Sequence, residues 1–165
     1  MTDTLTDKVG AISAIYAAFG RGDVPAILDL LAPDIAWDAD WADNFAQRDG
    51  TVEHFLPRRG RAQVADFFGI LATYTVHDFR VLRMLAGDDA VAAQVIIDVS
   101  TPDGGRFRDE ELHLWTFGSD GKIVALRHYI DTAKHLAAAR GEDTVRPRRL
   151  ALDGLTHPDA HSGAS

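Results

Sequence analysis

Residues 106–130 read RFRDEELHLWTFGSDGKIVALRHYI. Two runs of strand-like composition flank Gly-Ser-Asp-Gly, and Asp-Gly between alternating apolar runs is a strong short-range hairpin signal. With Asp120 and Gly121 as a two-residue turn, Ser119 opposes Lys122. Counting outward then pairs Phe117 with Val124, Trp115 with Leu126, and His113 with His128. Side chains along a strand alternate between faces, so Val124, Leu126, His128 and Ile130 share one face. A histidine in that aliphatic row has two readings: a core histidine satisfied by a hydrogen bond, or one that looks into a ligand pocket. A second histidine directly across the hairpin favours the pocket.

The strand pattern continues backwards through 90–100 (AVAAQVIIDVS) and 76–85 (VHDFRVLRML), separated by TPDGG and AGDD. With Asp-Gly or Gly-Gly central in the turn at 103–105, Gln94, Ile96 and Asp98 share a face with Asp109, Glu111, His113, Trp115 and Phe117. The expected pocket face therefore carries Asp98, Glu111, His113 and His128 among Ile96, Trp115, Leu126 and Ile130. A few polar groups in an apolar bed is the composition of a small-molecule site. The opposite face, with Val95, Ile97, Val99, Leu112, Leu114 and Tyr129, is also apolar and needs a cover. A second subunit is the simplest one, so a homodimer through the outer sheet face is expected.

The first half is helical. Val9, Ile12, Ile15, Tyr16 and Phe19 recur at helical spacing. A short second helix starts at Asp23, with Pro25 in its first turn and Pro33 ending it. IAWDADW (35–41) alternates as a strand, and Trp37 and Trp41 are candidates for the pocket wall. Residues 42–59 show no clear period, and a connection of that length is often a binding loop; His54 or Asp43 turned inward would favour catalysis. A third helix over 60–74 buries Val64, Phe67, Phe68 and Leu71, with Phe68 taken as pocket-lining. A short helix follows Asp131. Helices followed by an antiparallel meander indicate α+β, with one domain over residues 1–138 and an extended or disordered tail over 139–165.

The chain has 165 residues and a net charge of −8, with no cysteine. Thiolate metal sites, disulfides and cysteine nucleophiles are thereby excluded. No Lys/Arg stripe suggests nucleic acid, and no apolar run approaches membrane-spanning length. The amino terminus lacks the pattern of a signal peptide. A cytoplasmic protein with neither nucleic acid nor membrane as partner is expected.

Three stretches carry a family resemblance: IYAAFGRGDVPAILDLLAPDIAWD (15–38), RGRAQVADFF (59–68) and HLWTFGSDGKIVALRHYIDT (113–132). They resemble the SnoaL-like branch of the ketosteroid-isomerase and nuclear-transport-factor-2-like superfamily. The resemblance implies a cone in which a curved antiparallel sheet wraps around three N-terminal helices and encloses a pocket, with dimers packed through the sheet. It implies small-molecule chemistry without a cofactor. On the residues that match, His113 falls where ketosteroid isomerases place an acid that holds the enolate oxygen. His128 falls where limonene-type epoxide hydrolases place one catalytic aspartate, and Asp98 near the other, but Ile96 replaces the arginine that links them. The isomerase base aligns with Ala39, and strict alternation turns Asp38 and Asp40 the other way. Tyr16 lies one position from the isomerase tyrosine. A histidine working with an aspartate is more similar to the scytalone-dehydratase and polyketide-cyclase members.

The expected catalytic set is thus His113, His128, Asp98 and Tyr16. A histidine oriented by Asp98 or Glu111 acts as base or acid, and the other histidine or Tyr16 donates to a developing oxyanion. Trp37, Trp41, His54, Phe68, Ile96, Glu111, Trp115, Leu126 and Ile130 are expected to contact a hydrophobic ligand. Two cross-strand histidines and a carboxylate could form a metal triad, but no ligand run is present and no metal is expected. The remaining histidines, His77, His135, His157 and His161, read as loop or tail residues. Two functions stay open: an isomerase, dehydratase or cyclase, and a non-catalytic binding or dimeric interaction domain, in which the polar residues of the pocket would be paired with one another.

Overall fold

The computed structural model describes residues 2–145. α1 (Thr2–Gly20), α2 (Val24–Leu30) and α3 (Gly60–Leu71) precede most of the sheet, and α4 (Thr132–Ala139) follows it. The strands are β1 (Leu31–Trp37), β2 (Arg58–Arg59), β3 (Thr75–Ala86), β4 (Ala90–Ser100), β5 (Arg106–Phe117) and β6 (Ile123–Tyr129), ordered β2-β1-β6-β5-β4-β3 in one open sheet. The fold is α+β, as expected. The sheet is mixed, however: β3 to β6 form an antiparallel meander, while β1 runs parallel to β6.

Asp23 caps α2, its carboxylate accepting from the Ala26 amide at 3.2 Å. The helix ends at Leu30, before Pro33, and Leu31 already opens β1. The expected strand over 35–41 therefore begins earlier and ends at Trp37. Asp38 and Asp40 both adopt positive φ, 49° and 56°, a region aspartate tolerates better than most residues. These two residues break the alternation on which the expected outward orientation of Asp38 rested.

The two hairpins decide the faces. At the β5–β6 turn Gly118 N–H donates to Lys122 O at 2.8 Å, and Phe117 opposes Ile123, not Val124. A bulge then absorbs the difference, so Trp115 opposes Leu126 and His113 opposes His128 as expected. At the β4–β5 turn no bulge intervenes. Thr101 to Gly105 form the loop, Ser100 opposes Arg106, and Val95 opposes Glu111. This differs by one residue from the expected register, and such a slip moves a whole strand's side chains to the other face. Val91, Val95 and Val99 are consequently buried in the core, and Asp98 and Ile96 belong to the outer face.

The core lies between α1–α3 and the concave face, built on Ile12, Ile15, Ile27, Ile35, Val64 and Trp115. α4 closes one end. Asp131 caps it, its carboxylate accepting from the Lys134 amide, and a Cβ at Gly105 would lie 1.9 Å from Ala138 O, so only glycine allows this approach. Of the expected tail, residues 142–144 run beside the start of β5, where Arg106 N–H donates to Glu142 O and Thr144 N–H to Arg106 O. Residues 146–165 lie outside the described residues.

Candidate active-site cavity

The concave face of β5 and β6, the inner side of α1 and α3, and the segment after β1 enclose an apolar cavity. His113 and His128 stand side by side in its wall, ring centroids 4.5 Å apart and nearly perpendicular. Their partners differ, and the difference separates their chemistry.

His128 is held by Asp38, which is fully buried. Asp38 Oδ1 accepts from the His128 backbone N–H at 2.8 Å, and Oδ2 accepts from the ring Nδ1–H at 2.7 Å. This fixes the tautomer and leaves Nε2 without a hydrogen-bond partner among the described residues. Burial disfavours the imidazolium, but the Asp38 carboxylate outweighs it and the pKa is raised.

His113 is held differently. Trp115 Nε1–H donates to Tyr16 Oη at 3.1 Å, which leaves the tyrosine proton for His113 Nδ1, 2.9 Å away. His113 Nε2–H then donates to Glu111 Oε2 at 3.0 Å. Burial, followed by the charge of His128, lowers the His113 pKa. Burial also drives the Tyr16 hydroxyl well above its ordinary value. His128 is thus the stronger base of the two and His113 the weaker.

The network continues. Glu111 Oε1 lies 3.2 Å from His135 Nε2, His135 Nδ1 lies 3.0 Å from His54 Nε2, and His54 Nδ1 lies 3.0 Å from Tyr74 Oη. Burial opposes the Glu111 charge, yet hydrogen bonds from His113 and His135 hold its carboxyl well below the usual range. Burial likewise opposes the charge on His135, and its bonds to Asp109 and Glu111 raise its pKa. His54, buried beside His135, is lowered to about 3. Asp109, Glu111 and His135 bring ligand-type atoms within 4.8 Å of one another. Asp109 already accepts from the Glu110 and Asp131 amides, Lys134 and His135, so this trio reads as the clamp on α4.

Of the residues expected in the pocket, Tyr16, Trp37, His54, Phe68, Glu111, His113, Trp115 and His128 line the cavity. Five do not. Asp98 faces outward, paired with Arg106 at 3.0 Å and Arg108 at 3.5 Å, because β4 is registered one residue away from expectation; its hydrogen bond from Arg106 lowers its pKa. Ile96 shares that outer face for the same reason. Trp41, beyond the turn at Asp38–Asp40, packs on Tyr129 and under Arg127. Leu126 is consumed in the core and Ile130, one step past the end of β6, packs against the small cluster of Ala46, Val52 and Phe55. Segment 42–59 turns His54 inward through a short helical turn (Glu53–Phe55), while Asp43 stays exposed.

Sequence reasoning missed Asp38 and His135. Strict alternation turns Asp38 away from the pocket, although an aspartate at a strand's end is free to leave it. His135 is one turn from Ala138 on the face of α4 that meets β5, and that spacing was its only signal. Trp37 Nε1 is the one fully enclosed side-chain polar atom without a partner among the described residues, and an unpaired buried donor costs about 1–3 kcal/mol.

The chain is thus a mixed sheet curled over helices around an apolar cavity, with acid–base side chains from strands and helices in its wall. The chain belongs to the SnoaL-like domain family, whose sequence profile matches residues 12–126. Among solved structures it is similar to a nuclear-transport-factor-2-like protein of Burkholderia xenovorans LB400, with 23% identity, TM-score 0.63, and coverage of 82% of this chain and 96% of that one. It is also similar to a proposed polyketide cyclase of Xanthomonas campestris pv. campestris, with 21% identity, TM-score 0.62, and coverage of 82% and 98%. A third is a Mycobacterium tuberculosis protein solved in complex with estradiol-17β-hemisuccinate, with 16% identity, TM-score 0.59, and coverage of 73% and 91%. At these identities the likeness concerns the fold. No curated protein matches the sequence significantly. No helix among the described residues is long and apolar enough to cross a membrane.

Proposed function

We propose that this protein is a cofactor-free enzyme that moves a proton on a hydrophobic carbonyl or hydroxyl compound, in the manner of an isomerase, dehydratase or cyclase. The observation that carries the reading is the Asp38–His128 pair. A carboxylate 2.7 Å from Nδ1 orients the ring and stabilises its cation, while Nε2 remains unpaired in the cavity wall. His128 takes a proton from the substrate at Nε2. His113, neutral and beside it, is placed to donate to or accept from a second substrate atom through small shifts of its bond to Tyr16 or Glu111. The likeness to a proposed polyketide cyclase is in keeping with this chemistry.

A second reading is binding without catalysis. It is favoured by the way Tyr16, His113, Glu111, His135, His54 and Tyr74 satisfy one another, and a structural neighbour was solved with a steroid ester. The two readings separate in deuterium oxide. Wild-type protein exchanges the α-protons of hydrophobic ketones, or eliminates water from β-hydroxy ketones, and His128→Gln loses this by at least about a hundredfold. Binding of the same ketones with no exchange above background would establish the binding reading.

A homodimer is part of the proposal. Leu85, Leu112, Tyr129 and Ile130 line a groove on the outer sheet face, and Leu85 is 62% exposed. Light scattering of the purified chain, with Leu85→Lys as the disrupting variant, tests it. A cytoplasmic location belongs to the same proposal and is read from the sequence alone.

A further inference from the structure

Four side chains, His54, Tyr74, Phe107 and His135, belong both to the cavity wall and to a cleft on the outside of the molecule. The cleft lies between α3, α4 and the β4–β5 loop. Glu53, Asp66 and Asp103 line it, and no Lys or Arg among the described residues does. Three of the four are joined in a row: Tyr74 Oη lies 3.0 Å from His54 Nδ1, and His54 Nε2 lies 3.0 Å from His135 Nδ1. His54 and His135 are buried, whereas Tyr74 at the cleft end is half-buried.

What each end can accept assigns the protons. His135 Nε2 faces the Asp109 and Glu111 carboxylates at 3.1 and 3.2 Å. Ionised carboxylates only accept, so Nε2 carries a proton in either charge state. The charge of His135 is therefore decided at Nδ1, where His54 is the partner. With Nδ1 bare, His54 Nε2–H donates to it and Tyr74 O–H donates to His54 Nδ1. With Nδ1 protonated, it donates to His54 Nε2, His54 Nδ1–H donates to Tyr74 Oη, and the Tyr74 proton turns to the cleft. Every ring nitrogen of the pair is satisfied in both arrangements.

Only His135 changes charge between them. Burial, then the His135 charge, lowers the His54 pKa to about 3, so that ring stays neutral; Arg58 beside it donates to the His54 carbonyl. Burial, then the Glu53 and Asp103 carboxylates, pushes the Tyr74 hydroxyl up to about 12, so it keeps its proton. Around His135, burial opposes the cation, and Asp109 and Glu111 on β5 favour it. The charge of His128 opposes it, Lys134 on its own helix is spent on Asp109, and the 45–47 turn against α4 brings no titratable group.

We infer that Tyr74, His54 and His135 form a proton wire between the outer cleft and the buried Glu111 end of the cavity wall, and that each passage reverses the tautomer of His54. A solvent hydronium gives one proton to Tyr74 Oη. The hydroxyl proton passes to His54 Nδ1, and the His54 Nε2 proton passes to His135 Nδ1. Tyr74 and His54 end with as many protons as they began with, and His135 has gained one. Release runs the same steps backwards, to water. His135 and His113 both donate to Glu111, so a change at His135 reaches His113 without a proton crossing the apolar cavity. The wire goes beyond the proton-transfer reading and stands whether the cavity catalyses or only binds.

The test is nitrogen NMR of the full chain with labelled histidine, over about two pH units either side of about 6.5, the ordinary histidine value. Below the midpoint His135 should carry protons on both ring nitrogens and His54 on Nδ1 only. Above it, both rings should carry a proton on Nε2 only, and the two changes should share one midpoint. A His54 tautomer that stays fixed while His135 titrates would overturn the wire. So would a doubly protonated His54, or a His135 that holds one charge throughout. Relaxation dispersion at the midpoint gives the rate of passage. Tyr74→Phe removes only the terminal hydroxyl and should slow that rate by about tenfold or more, the worth of one hydrogen-bonded step. If Tyr74 only packs against the rings, its loss leaves the rate unchanged or, by loosening the site, raises it; either result overturns the wire. Where Tyr74→Phe does not fold, the wild-type tautomer reversal decides alone. The ketone exchange assay is separate: its failure removes the proton-transfer reading and leaves the wire standing.

Discussion

Asp38 and His128, 90 positions apart in sequence, are joined twice: one carboxylate oxygen accepts from the backbone amide of His128 and the other from its ring Nδ1–H. The double contact fixes both the strand end that carries Asp38 and the orientation of the imidazole. It also gives the protein its clearest pH signature. With Asp38→Asn the carboxylate beside the ring is gone and burial, the largest influence, prevails over the weaker pull of Glu111, so the His128 pKa falls from its raised value to below about 6.5, the ordinary histidine value. The sign for stability follows. A raised folded-state pKa contributes stability that is fully present below about pH 6.5 and lost as pH rises through the raised value. Asp38→Asn is therefore more destabilising at pH 6 than at pH 9. Histidine ring titration by NMR and thermal melts at the two pH values check both statements; an unchanged His128 pKa would sink the pairing.

Glu111 carries the opposite sign. Its carboxyl is held well below the usual range by His113 and His135, so its contribution is present above about pH 4.3 and lost as pH falls through the lowered value. Glu111→Gln leaves buried imidazoles short of their anion and should cost about 3–5 kcal/mol at neutral pH. Its stability should also fall less steeply than wild type between neutral pH and the acid limb. Urea unfolding across that range measures the slope, and parallel acid limbs for the two proteins would contradict the assignment.

Asp98 provides the control. It lies on the outer face with Arg106 and Arg108, whose side chains are 34% and 40% exposed. An ion pair with partners this exposed is worth at most about 1 kcal/mol. Asp98→Ala should leave the His113 and His128 resonances and any ketone binding unchanged. A collapse of activity in this variant would mean that β4 presents its other face to the cavity.

Gly105 sits where a methyl group would meet the Ala138 carbonyl. Gly105→Ala must lift α4 and with it His135, at a cost of about 1–3 kcal/mol. Chemical denaturation gives the cost, and the His54 and His135 resonances should move with it. An alanine tolerated without change would show that α4 is not seated on that turn.

The β5–β6 hairpin shows how register survives a wrong turn. Asp120-Gly121 is not a two-residue turn, but the bulge beside Val124 restores parity before His113 and His128 are reached. On β4 the same style of count failed, because a five-residue loop closed by Thr101 and Gly105 has odd parity and nothing downstream compensates. Asp98 and Ile96 were lost to the pocket by that single residue.

Composition, helix periodicity, the Asp23 cap and strand alternation determined from sequence alone that the chain is α+β, with His113 and His128 each on an otherwise apolar strand face. These are local properties, set by alternation, capping and turn chemistry within a few residues. Which carboxylate serves which histidine was decided only in three dimensions. Asp38 reaches His128 because two aspartates take positive φ where β1 ends, and His135 reaches Glu111 because Gly105 lets α4 come close. Neither contact has a sequence period. Each depends on where a strand stops or a helix lands, and a single residue of register is enough to exchange one carboxylate for another.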